Sequence, residues 1–209
     1  MTNHTTEYQM TNFYSLHLNR LKFDKEMLVD FYSTIDQTKW IHRQDKLPQY
    51  WPIDENNSFD RNHEFYKMLI EKINVSVDEK RIYFSRVYPG GIPNHWDFEN
   101  FTKLQFPVIC DEPDNDWSKT PVIFIDQFDQ VVERVEHTND TPILYSANYM
   151  HGTVKSLKNK NDRITLVVDL NHWFERAKVK YNEGTLFTDN KAFWNHDDRT
   201  NFAYKFDNK

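Results

Sequence analysis

The chain has 209 residues and a mass of 25.4 kDa, a length that one domain accounts for and that closes an apolar core without disulfide or metal staples. Aromatic residues at 16% offset a modest 38% apolar share, which excludes a disordered chain, and the balance of 26 Lys+Arg against 32 Asp+Glu, net −6, argues against a protein that coats nucleic acid. No apolar run reaches the ~20 residues of a membrane helix, the start MTNHTTEYQM lacks the order of a signal peptide, and the single Cys110 excludes a disulfide framework or a multi-cysteine zinc site.

A cytoplasmic protein without a membrane segment is therefore expected, with residues 1–209 as a single domain. Residues 13–23 alternate Leu16, Leu18 and Leu21 with polar neighbours as a strand does. Asp24 then suits a helix N-cap, because Met27, Leu28, Phe31, Tyr32 and Ile35 follow at helical spacing. A loop marked by Pro48, Trp51 and Pro52 comes next, and a second amphipathic helix fits 59–73 with Phe65, Met68, Leu69 and Ile73 on its apolar stripe. From residue 81 the period changes to two. RIYFSRVY, KLQFPV, PVIFI, PILYS and RITLVVDL are short strands parted by loops carrying Pro89-Gly90-Gly91, Pro113, Asn139-Asp140 and 159–162. Such even spacing predicts a sandwich or barrel. The chain thus divides into a strand and helices (13–75) packing on a β core (81–170), with a C-terminal elaboration (171–209) that starts helically and ends in an aromatic, polar segment.

Nine histidines invite a search for metal ligands. His95-Trp96-Asp97 has the two-residue spacing that sends both side chains to one face of a strand. With 20 Asp in 209 positions, about one His-x-Asp is expected by chance, and His196-Asp197-Asp198 near the end is the expected decoy. Downstream residues lift His95 above chance. His151-Gly152 lies 54 positions past Asp97, and Arg163-Ile164-Thr165 opens a strand 12 positions later. Two imidazoles and one carboxylate form the facial set that holds non-haem Fe(II) and leaves positions open. An Arg with a hydroxyl at i+2 suits the far end of a dicarboxylate.

On PGGIPNHWD (Pro89–Asp97), KLQFPV (Lys103–Val108), MHG (Met150–Gly152) and RITLVVD (Arg163–Asp169) the chain resembles the iron(II)- and 2-oxoglutarate-dependent dioxygenases. Within them it is similar to the aspartyl/asparaginyl β-hydroxylase-like group, which includes free-amino-acid hydroxylases such as proline hydroxylases. The resemblance covers residues 89–169 and neither terminus. It implies a mainly β fold with flanking helices, built on a double-stranded β-helix (jelly-roll, cupin-like) barrel. It further implies that His95, Asp97 and His151 bind Fe(II), that Arg163 pairs with the C5 carboxylate of 2-oxoglutarate assisted by Thr165, and that Lys103 and Gln105 on the strand after the His-x-Asp reach the same cosubstrate. The reaction so implied consumes O2 and 2-oxoglutarate, releases succinate and CO2, and hydroxylates an amino acid, free or within a peptide or protein. In that barrel His151 and Arg163 stand on strands of opposing sheets; a flat hairpin would put them roughly 20 Å apart, too far for one small dicarboxylate.

Duller roles stand beside these. Trp96 points away from its neighbours and suits packing, Cys110 suits a buried small apolar site, and His172-Trp173 and His196 suit the surface. Asp169 suits a hydrogen bond to His151. The aromatic residues Phe187, Phe193, Trp194, Phe202, Tyr204 and Phe206 suit a cover, a dimer contact or a closure over substrate. Competing functions are a barrel retained as an inactive binding module, a same-superfamily oxygenase acting on another small molecule or on nucleic acid, and a zinc hydrolase. A nucleic-acid demethylase would favour an Arg-rich final strand, whereas RITLVVDL has one Arg. The zinc hydrolase would leave Arg163 without a role.

Overall fold

A computed structural model of the chain describes residues 14–19, 21, 23–42, 48–50, 59–73, 82–97, 102–110, 122–138, 140–154, 161–170 and 174–183. Its elements are β1 (Ser15–His17), α1 (Lys25–Ser33), β2 (Ile41–His42), β3 (Pro48–Tyr50), α2 (Glu64–Ile73), β4 (Ile82–Val87), β5 (Ile92–His95), β6 (Thr102–Ile109), β7 (Val122–Ile125), β8 (Val131–Val135), β9 (Ile143–Ser146), β10 (His151–Thr153), β11 (Arg163–Leu170) and α3 (Phe174–Glu183). The strands form two antiparallel sheets, one ordered β1-β9-β6-β11-β4-β3-β2 and the other β5-β10-β7-β8. The protein is thus mostly β, with few helices.

Alternation along the central strands sorts the large sheet into two chemically different faces. Leu104, Phe106 and Val108 of β6, Ile82 and Phe84 of β4, and Ile164, Leu166, Val168 and Leu170 of β11 point to the helices. They pack there with Leu28 and Phe31 of α1, Phe65 and Leu69 of α2, and Phe174 and Ala177 of α3. The residues between them face the small sheet. That face carries Tyr83, Ser85, Lys103, Gln105, Arg163, Thr165 and Asp169, all buried. A smaller apolar cluster of Val122, Phe124, Val135, Ile143 and Tyr145 holds the two sheets together beside these polar groups.

Local chemistry explains most element boundaries. Asp24 caps α1, its carboxylate accepting from Met27 N at 3.0 Å, as the sequence predicts. The second helix starts at Glu64 rather than at 59. Asp60 folds the entry into a turn, accepting from Asn62 N at 2.9 Å, and His63 Nδ1 accepts from Phe65 N at 3.1 Å, so regular helix is delayed while Phe59 is still buried. Residues 48–50, expected in a loop, pair with β4 as Gln49↔Ser85 and Tyr50↔Phe84, and Pro48 is tolerated because it is the first residue of its strand. Trp51 and Pro52 lie outside the described residues. Strand β1 is shorter than the 13–23 stretch; Leu18 N still bonds Pro142 O at 2.8 Å, and the chain then turns, Leu21 N donating to Leu18 O. In β6, Pro107 opposes Thr165, and the register slips beside it, Ile164 pairing with Ile109. A proline inside a strand donates nothing to the ladder, so the slip falls where the ladder is already interrupted.

No closed barrel forms among the described residues. At one seam a side chain does the work of a ladder: Glu133 of β8 accepts from Tyr14 N at 2.8 Å and from the Ser15 hydroxyl, tying the edge of the small sheet to β1 at the edge of the large one. No helix among the described residues is long and apolar enough to cross a membrane. Residues 184–209, which include the aromatic segment and His196, and residues 171–173 lie outside the description.

Phe31 is the hub of the helix-side core, its ring within 6 Å of those of Phe59, Phe65, Tyr66 and Phe84. Phe31→Ala should lower the unfolding free energy by about 3–5 kcal/mol, read from equilibrium urea denaturation. A loss below about 1 kcal/mol would mean that this layer does not carry the fold.

Candidate metal centre

Two short strands bring the histidines together. His95 ends β5 and His151 begins β10, and the two residues are direct partners in the antiparallel ladder. Their rings lie 4.5 Å apart between centroids. The next pair is Thr153↔Ile92, so two steps on β10 match three on β5. The extra residue is a bulge at Pro93-Asn94, where a proline costs the ladder least. Gly152 sits under it: a Cβ there would meet Asn94 Oδ1 at 2.5 Å and Ile92 O at 2.9 Å. Only a residue without a side chain lets β5 approach this closely.

Asp97 lies two residues past the end of β5, its N–H bonded to Ala147 O at 3.0 Å. The strand pairing predicted for His-x-Asp therefore stops at His95, and a loop contact places the carboxylate. One ligand atom from each of His95, Asp97 and His151 lies within 4.8 Å of the others, with Asp97 Oδ2 3.6 Å from His151 Nε2. Each imidazole is oriented by a carbonyl two residues earlier in the chain. His95 Nδ1 is 2.8 Å from Pro93 O, and His151 Nδ1 is 2.8 Å from Tyr149 O. A carbonyl can only accept, so Nδ1 of each ring carries a proton, and Nε2 is the nitrogen left to serve as a ligand. Asp169, expected to support His151, instead lies 3.4 Å from the Tyr83 hydroxyl, because Tyr149 O already holds the ring.

Electrostatics prepare the same groups. Burial, and next the charge of His95, push His151 down to about 4, so its ring is neutral at pH 7. For Asp97, burial raises the pKa but Lys103 and the two histidines outweigh it, and the carboxyl stays ionised below its usual range. Lys103 reaches this carboxylate with Nζ 2.7 Å from Asp97 Oδ2. Burial disfavours its ammonium, yet Tyr83, Asp169, Tyr145 and Asp97 hold its pKa well above the ordinary value. A neutral His151 ring and an ionised Asp97 carboxylate, with the His95 ring beside them, are a donor set that fits one divalent transition metal.

The remaining predicted residues divide. Lys103 and Gln105 are on the cavity wall, Gln105 Nε2 donating to the Tyr145 hydroxyl at 3.0 Å. Arg163 stands on the same wall, 1% exposed, and NH2 donates to Thr153 Oγ1 at 3.3 Å across the gap between the sheets. β10 and β11 belong to different sheets, so the flat hairpin does not exist. Thr165 is buried on the same face of β11 but off the cavity wall; the hydroxyl that touches Arg163 belongs to Thr153. Trp96, expected to pack, is 45% exposed, and Cys110 is buried as expected. Tyr83, Ser85, Tyr145 and Thr153 also line the wall, and the sequence reading does not single them out. A signal for them existed: Thr153 is at His151+2, and Tyr83 and Ser85 alternate on β4 with the helix-facing Ile82 and Phe84.

No family model matches the chain, and no curated protein does. Among solved structures it is similar to a prolyl-4-hydroxylase from Pseudomonas putida, with 9% identity over 69% of this chain and 85% of that one at a TM-score of 0.44. It is also similar to IDO from Bacillus thuringiensis, with 8% identity over 81% of this chain and 96% of that one at a TM-score of 0.47.

Two outcomes follow from this geometry. Gly152→Ala should push β5 off β10 and weaken Mn(II) binding about tenfold or more, read by calorimetry; unchanged affinity would mean that the His95–His151 pairing does not set the site. Because His151 has a folded pKa of about 4 against 6.5 unfolded, the unfolded chain takes up the proton first as pH falls, so this stabilisation is present above pH 6.5 and is lost towards pH 4. Metal-free protein should lose about 2 kcal/mol more between pH 7 and pH 5 than does His151→Asn, measured by urea denaturation at each pH.

Proposed function

We propose that the protein is a cytoplasmic, single-domain, Fe(II)- and 2-oxoglutarate-dependent dioxygenase that hydroxylates an amino acid, free or within a peptide or protein. On this reading the two facing sheets are an open form of a double-stranded β-helix, and His95, Asp97 and His151 hold the iron on one side. Bound there, Fe(II) would supply the chemistry that activates O2, coupling oxidative decarboxylation of 2-oxoglutarate to insertion of one oxygen atom into a substrate C–H bond. The balance is 2-oxoglutarate + O2 + R–H giving succinate + CO2 + R–OH.

The observation that carries the proposal is the buried guanidinium of Arg163 in the same cavity as the His-Asp-His set. Its partner Thr153 lies two residues along β10 from His151, about 7 Å. A five-carbon dicarboxylate with one end at the ligand set bridges that distance. Charge supports the same ligand class. Asp97 and Asp169 balance Lys103 and Arg163, so a divalent ion leaves an excess of two positive charges, which one dianion neutralises. The guanidinium fork gives that dianion two parallel hydrogen bonds, while Lys103 and Gln105 provide further donors on the wall. Burial of this wall keeps water from competing for the donors and strengthens each of them. Tyr145 and Tyr83 stay protonated, burial raising both, so they serve as hydrogen-bonding walls and not as bases. The net negative charge of the chain favours a small molecule or peptide over nucleic acid as substrate.

Succinate release from Fe(II)-loaded protein and 2-oxoglutarate, screened against free amino acids and short peptides, tests activity and substrate together. Turnover should disappear in Asp97→Ala. Arg163→Lys, which keeps the charge but loses the fork, should raise the 2-oxoglutarate concentration for half-maximal rate about tenfold or more with metal stoichiometry unchanged. Metal bound but no succinate from any substrate would favour a binding module on the same scaffold.

A further inference from the structure

Lys103 has a position that cosubstrate binding alone does not explain. Its ammonium is 2.7 Å from Asp97 Oδ2, the oxygen that also faces His151 Nε2 at 3.6 Å. The carboxylate that a metal ion needs is the one whose oxygen the lysine holds. Two cations on one carboxylate oxygen repel each other, and a divalent ion has twice the claim of an ammonium. Lys103 is buried, so the displaced head group cannot escape into water without uncovering its stem.

The ladder supplies another acceptor. Lys103 and Asp169 are direct partners across β6 and β11, on the face that looks into the cavity. Side chains so paired stand about 5 Å apart at Cβ. Asp169 is itself buried and lies beside the Tyr83 hydroxyl, and Lys103 Nζ is 5.8 Å from the centroid of the Tyr83 ring. A rotation of the lysine side chain across that ring moves the ammonium from one carboxylate to the other without leaving the protein. The three groups sum to −1 with no ion present, which leaves room for a cation and none for a second cation on Asp97.

Resting on the metal centre proposed above, we propose that Lys103 is a built-in competitor for metal at Asp97, and that Asp169 is the acceptor to which its ammonium transfers when a divalent ion enters. The lysine pairs with the ligand carboxylate when no ion is bound and lowers metal affinity in the same act. Asp169 sets how much it lowers it.

A double-mutant cycle on the full chain tests this, with Mn(II) as the probe and calorimetric affinity as the readout. Lys103→Met should bind Mn(II) about tenfold more tightly than wild type, and Lys103→Gln should shift the same way, which guards against a fold defect in either variant. Asp169→Asn should weaken binding severalfold, because the ammonium then has only Asp97. In the Lys103→Met background the same Asp169→Asn change should have an effect at least threefold smaller. Wild-type protein that binds Mn(II) while both Lys103 variants bind it equally or more weakly overturns this proposal and leaves the metal centre standing, as does an Asp169→Asn penalty of equal size in the two backgrounds. Wild-type protein that binds no divalent ion overturns the metal centre, and this proposal with it.

Discussion

The pairing of β5 with β10 is the constraint on which the site depends. Four residues on one side and three on the other set His95 opposite His151, and the bulge at Pro93-Asn94 over Gly152 sets how near they come. So short a ladder has little intrinsic stability. It persists because β7 pairs with the other edge of β10, and because Asp97 N and Ala147 O tie the exit of β5 to the turn before β10. The two imidazoles are then oriented by the carbonyls of Pro93 and Tyr149, which lie in the same two segments. Backbone that would be a weak strand elsewhere here holds two imidazoles opposite each other.

A division of labour in the large sheet makes this affordable. Its helix-side face buries a continuous apolar layer centred on Phe31, Phe84 and Leu166, and each such side chain contributes roughly 1.5–3 kcal/mol by leaving water. The opposite face is thereby free to bury Lys103, Gln105, Arg163 and Asp169, groups whose desolvation would unfold a smaller core. Alternation along β11 does both jobs with one strand: Ile164, Leu166, Val168 and Leu170 serve stability, while Arg163 lines the cavity and Asp169 meets the Tyr83 hydroxyl on the same face.

Much of this was legible in the chain. The period-two runs marked β4, β6, β7, β9 and β11, the Asp24 cap marked α1, and His95, Asp97, His151 and Arg163 were identifiable by spacing and residue type. They do converge on one cavity. What escaped is what neighbouring strands decide. Strands β2 and β8 have too few residues or too exposed a pattern to be read locally. Residues 48–50 look like a loop until β4 offers them partners. The bond between Arg163 and Thr153 depends on which sheet each strand joins, and Asp169 turns to Tyr83 and Lys103 through register across strands, which no local pattern encodes. Closure of the barrel was implied by family likeness, and a side-chain link through Glu133 stands at one seam instead.

Crystals grown with Mn(II) and measured at a wavelength where manganese scatters anomalously give the most direct test. One strong anomalous peak should lie about 2.0–2.3 Å from Nε2 of His95, Nε2 of His151 and a carboxylate oxygen of Asp97. A fully occupied ion bound elsewhere, or no peak with the three side chains in place, would contradict the account.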